Sequence, residues 1–116
     1  MIFLHDLAYA GGGACLANAV PHYVSGVTWR AFQSPFAKPP GQGLSSSTVN
    51  VLWGFANLAA AYGLILRVGS FDPRQTDHIA SLALGALLMS VMAARLFGPF
   101  HGGNAATPPG PPASAQ

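Results

Sequence analysis

The sequence predicts an all-α membrane protein: three transmembrane helices, a long Pro/Gly-rich first loop, and a C-terminal tail that is disordered or held by a partner. Three observations predict it. Ser45 to Leu66 runs for 22 residues without a charged side chain and stops at Arg67. At a rise of about 1.5 Å per residue, about twenty such residues match the hydrocarbon layer of a bilayer, about 30 Å thick. Two further stretches, Leu7 to Trp29 and His78 to Ala94, are also free of charge. Finally, only 7% of the chain is Asp, Glu, Lys or Arg, whereas a soluble domain devotes about a quarter to them. With five Lys or Arg, three Asp and no Glu, the surface suits lipid better than water.

The first span is placed at residues 7–29. No Lys or Arg precedes it, and Asp6 stands where a signal peptide would be basic, so the stretch reads as mature structure. Gly11-Gly12-Gly13 costs helix propensity in water but lets a neighbouring membrane helix approach closely. Pro21 frees the carbonyl of Ala17 and should kink the helix. Arg30 to Ser47 follows as a polar connection whose prolines and glycines exclude a continuous helix. Within it, Pro39-Pro40 is expected to be extended, and Phe32 and Phe36 are expected to fold back onto the membrane surface.

The second span is placed at residues 47–67, with the hydroxyl run before it capping the helix start. A short link with the turn signal Asp72-Pro73 leads to Thr76 or Asp77, either of which can cap the third span at 78–97. Arg95 near its end can snorkel to the interface. Residues 1–98 thus form one transmembrane domain, and 99–116 a Pro/Gly-rich tail that buries nothing. The first loop and C-terminus carry Arg30, Lys38 and Arg95; the other side holds Arg67 and Arg74 among three Asp. The positive-inside rule then puts the N-terminus outside and the C-terminus in the cytoplasm.

Composition excludes several functions. The basic residues are scattered, so no face is built for nucleic acid. Cys15 has no second cysteine with which to pair and reads as a small buried side chain. Nucleophile elbow, phosphate loop, paired carboxylates and cysteine clusters are all missing from the sequence, so no catalytic residue is assigned and no enzyme is expected.

Two constellations remain. Asn18 and His22 are spaced i, i+4 on the first span, and Asn50 and Asn57 lie two turns apart on the second with Gly54 between them. Facing each other, these four are the candidate cofactor-binding residues, forming a polar pocket for a proton, a quinone head group or a haem ligand. Interhelical hydrogen bonding alone also explains them. His5, Asp6, Asp77 and His78 reach the same membrane face and could bind zinc. Asp77 already serves as a helix cap, so no metal is assigned. Ser81-x-x-x-Gly85 and Ala86-x-x-x-Ser90-x-x-x-Ala94 form a packing signature on the third span, while Tyr23, Trp29, Trp53 and Phe97 sit where interfacial anchors do. His101 is given no role.

The runs Asn18 to Gly26, Phe32 to Ser46 and Asn50 to Gly54 (NAVPHYVSG, FQSPFAxPPGxGxSS and NVLWG) together resemble a family of small, uncharacterised bacterial integral membrane proteins. The resemblance covers residues 14 to 66 and implies a bacterial inner membrane, multi-pass, without supplying a mechanism. The expected function is that of a non-catalytic accessory or structural subunit of a larger membrane complex, of respiratory or photosynthetic type. Its partners would be membrane lipids and other membrane subunits, with no cofactor of its own. The alternatives are a module binding a lipophilic cofactor (haem, quinone or pigment) and a small oligomeric transporter.

Overall fold

The computed structural model describes residues 2–101, and the Pro-rich stretch 102–116 of the expected tail lies outside them. The chain is mostly helical, with three long helices. The first, α1 (Ile2–Val27), leads through a loop to α2 (Ser47–Tyr62), which is extended by a π-helical segment (Gly63–Val68). A short link then reaches α3 (Thr76–His101). Two of these helical stretches, Ser47–Val68 and Thr76–His101, are long and apolar enough to cross a membrane. The expected first span is equally helical and begins earlier, at Ile2, but its glycines, Asn18 and His22 dilute its apolar character.

The packing explains that difference. Both α2 and α3 pack along α1 and scarcely touch each other. The first helix is therefore the spine of the molecule, covered on two sides, and its contact faces are small. A Cβ on Gly85 of α3 would overlap the Ala10 carbonyl, and one on Gly13 would overlap the Leu82 carbonyl. These backbones touch because neither carries a side chain there. On α2 the inward stripe is Asn50, Gly54, Asn57 and Ala61, at the three-and-four spacing of one helix face. Large apolar side chains point outward instead, among them Phe3, Leu52, Leu66, Leu87 and Leu88, each more than half exposed. A water-soluble fold distributes its residues the other way round.

The helix ends are locally encoded. Ser46 caps α2, its Oγ accepting from Val49 N–H at 3.2 Å, as the hydroxyl run predicts. At the end of α1, Trp29 takes a left-handed conformation (φ 63°) while Arg30 N–H returns to Ser25 O at 2.8 Å, closing the helix. α3 starts at Thr76 with Asp77 already inside its first turn, where a carboxylate complements the helix dipole rather than standing as the cap. Its far end runs past the expected Phe97, through Gly98 and Pro99, to His101. A proline there costs one hydrogen bond in a last turn, so the helix does not stop at it.

The first loop departs most from expectation. Phe32–Gln33 (β1) pairs antiparallel with Leu44–Ser45 (β2), drawing the loop into a hairpin over the bundle end. Pro39-Pro40 is not extended: Gln42 and Gly43 N–H both return to Pro39 O, forming a turn. Phe36 remains outside, edge-on to Trp53 at 5.1 Å, but Phe32 goes inside, with Gln33 and Ser34 also buried. The loop's backbone finds its partners mostly within the hairpin and its turns, and Asn50 of α2 takes the Phe32 and Ser45 carbonyls.

Candidate functional site

At the loop end of the bundle the four asparagine and histidine candidates come together. Asn18 Nδ2 donates to Asn57 Oδ1 at 3.1 Å, and His22 Nδ1 lies 2.8 Å from Asn50 Oδ1. The antiparallel approach of α1 and α2 brings this about. Gly54 lies against the Tyr23 backbone, and that contact sets the register of both pairs.

Asn50, with no exposed surface, is the hub. Its Nδ2 donates to Phe32 O (3.2 Å), Ser45 O (3.2 Å) and Ser46 O (3.0 Å), so its amide orientation is dictated by three carbonyls. Its Oδ1 must therefore face His22, and an amide oxygen only accepts. In the neutral ring, Nδ1 of His22 then carries the proton and Nε2 the lone pair. Nε2 points away from Asn50 and has no hydrogen-bond partner among the described residues. Asn57 is simpler, since its Nδ2 is satisfied by Trp53 O one turn back at 2.9 Å.

Aromatic rings enclose the histidine. Phe32, Trp53 and Phe97 present edge-to-face contacts to His22 at centroid separations of 5.5, 6.4 and 6.2 Å. Trp53 and Phe97 thus turn inward, toward His22, whereas Trp29 is 91% exposed. The Trp53 indole N–H is buried without an acceptor among the described residues. Between α2 and α3, floored by Asn18 and His22, lies a cavity of about 240 Å3 whose other walls are mainly apolar.

Three participants carried no signal in the sequence. His101 stacks on Phe32 at 5.0 Å, nearly parallel, and its Nε2 lies 2.9 Å from Gln33 Oε1. Ser34 accepts at its carbonyl from Gly41 N–H and shares a 2.6 Å hydroxyl contact with Ser45. The end of α3 and the loop are thereby clasped together over His22. Only the unusual composition of the loop could have pointed to this.

At the opposite end, Asp6, Asp77 and His78 converge, with one ligand atom of each within 4.8 Å of the others; His5 does not join them. His78 Nδ1 accepts the Asp72 N–H at 2.9 Å, so Nε2 of the neutral ring holds the proton, 3.9 Å from Asp77 Oδ2. Histidine ligands usually show the reverse, donating from one nitrogen while the other binds metal. The ring also packs on Tyr9 (4.5 Å), whose Oη accepts Ser70 N–H at 2.9 Å. The arrangement locks the second link to α1, and it is a structural joint.

No family model, curated protein or solved structure matches the chain.

Proposed function

We propose that this chain is an integral membrane protein whose three helices all cross the bilayer, and that it serves as a non-catalytic accessory subunit of a larger membrane assembly. One observation carries the reading. Along the 26 residues of α3, Gly85 is the one buried position, while Ile79, Leu84, Leu87, Leu88, Val91, Met92 and Leu96 stand exposed. In water, such a helix would forfeit about 25 cal/mol for every Å2 of apolar surface it leaves wet. Lipid or neighbouring helices remove that cost. If α2 and α3 cross, α1 crosses with them, because it lies between them along its length.

The resemblance of residues 14 to 66 favours a bacterial cytoplasmic membrane, and the balance of Arg and Lys favours an outside N-terminus with a cytoplasmic C-terminus. Catalysis has no support in the polar centre: His22, Asn50 and Asn57 are engaged in holding helices and loop together. Purification in mild detergent is expected to bring co-migrating membrane subunits, and a lone, well-behaved monomer would refute the accessory role. The second reading, a module for a lipophilic cofactor, is favoured by one observation: the cavity floored by His22.

A further inference from the structure

We propose that the cavity between α2 and α3 receives the ring of a lipid-soluble hydroquinone, whose hydroxyl donates a hydrogen bond to Nε2 of His22. The inference rests on the membrane reading and deepens the second one, by selecting among its lipophilic ligands.

Size makes the first selection. An apolar cavity of about 150 Å3 holds a benzene molecule. The cavity here, about 240 Å3, matches one substituted six-membered ring better than the four-pyrrole macrocycle of a haem or pigment. Its walls suit a flat ring: Trp53 and Phe97 offer aromatic surface, and Met89 and Met92 offer thioethers.

The proton inventory makes the second. Asn50 holds the proton of His22 on Nδ1 and leaves a lone pair at Nε2, in a residue only 1% exposed. An acceptor in a residue that lines the cavity is matched by an O–H donor. A hydroquinone supplies one, and the oxidised quinone, with carbonyl oxygens alone, does not. Trp53, on the neighbouring wall, offers its ring, while its N–H is buried without an acceptor among the described residues.

Access makes the third. Met92 and Leu96 border the cavity and are 47% and 57% exposed, on the α3 face assigned to lipid. A ligand dissolved in the bilayer reaches the ring site sideways, between two helices that scarcely touch.

The full chain with Trp29→Phe retains Trp53 as its one tryptophan, and its fluorescence in detergent reports on this wall. Titration with decylubiquinol under argon is expected to give saturable quenching. Decylubiquinone should bind about tenfold more weakly, the factor expected for one lost hydrogen bond. His22→Phe should remove the preference for the reduced form. Should that variant misfold, Ala93→Phe fills the cavity from the α3 side while keeping His22 and Asn50 in the chain, and it should abolish saturation at unchanged helix content.

Equal binding of the two redox forms, undiminished binding by Ala93→Phe, or equally effective competition by decanol (a hydroxyl without a ring) would each overturn the proposal. So would a linear, non-saturating titration. A protein that co-purifies with membrane subunits yet gives any of those results retains its accessory role and loses only this ligand. A protein recovered folded without detergent loses the membrane reading itself.

Discussion

At the scale of single residues, the site is organised by the carbonyls that Asn50 satisfies. Asn50→Leu removes four hydrogen-bond partners at once, and it leaves Nδ1–H of His22 and the Phe32 carbonyl covered and unmatched. The expected loss is about 2–4 kcal/mol, read as a lowered melting temperature in detergent together with faster amide exchange in 31–45. Asn57→Ala removes one interhelical bond, from Asn18, and should cost only about 0.6 kcal/mol. Equal losses for the two would show that Asn50 is not the hub. At the other end, His78 has its proton on the nitrogen that faces Asp77, so zinc at micromolar concentration should leave the melting temperature unchanged; a concentration-dependent rise would show a metal site. The pairing of Asn18 and His22 with Asn57 and Asn50 was legible in the sequence, because i, i+4 and two-turn spacings keep each pair on one face and a single loop makes their helices antiparallel. The roles of Gln33, Ser34 and His101 were not. Ser34 and its side-chain partner Ser45 lie 11 residues apart, and Gln33 and His101 lie 68 apart; both pairings are fixed by the hairpin, which no periodicity announces.

At the scale of elements, backbone contact rather than side-chain interlock joins α1 to α3. Gly85→Ala puts a methyl group into the Ala10 carbonyl, a collision that no rotamer can relieve. We expect it to cost about 2 kcal/mol or more, and to expose the α1–α3 joint to crosslinking or protease before α1–α2 yields. Gly63→Ala is the control: nothing lies near the Cβ it would add, and it should be neutral or slightly stabilising. The triple glycine and the small residues of α3 made this contact readable in advance, since small residues on facing helices let two backbones approach closely. The ends of α1 and α3 were less readable. The charge at Asp6 and the Gly98-Pro99 pair look like boundaries, yet both helices run beyond them, α3 as far as the contact of His101 with Phe32. The hairpin was obscured for a related reason: its two-residue strands are too short to show alternation, and their pairing depends on Asn50 beneath them.

At the scale of the whole molecule, the decisive property is that the inside is mostly small and polar groups while most of the Leu and Val and several Phe side chains are outside. Leu88, at the middle of α3 and 62% exposed, tests what surrounds that exterior. With water around the chain, Leu88→Asp would replace an exposed apolar side chain by a charge and raise solubility with little effect on stability. With hydrocarbon around it, the same carboxylate at the centre of a span would cost about 2.5–3.5 kcal/mol of insertion free energy. The two environments therefore give opposite signs. The expected outcome is the second: Leu88→Asp should lower the fraction of chain integrated into membranes, measured by carbonate extraction, while Leu88→Phe leaves it unchanged. The position along the helix adds a further check, because the penalty fades toward the interface. Leu96→Asp, close to Arg95 and the clasp formed by His101, should insert better than Leu88→Asp even though Leu96 is almost as exposed. A gradient of this kind arises from a slab of hydrocarbon and not from a protein partner in water, so the pair of variants separates a bilayer from a soluble complex as the medium that α3 faces.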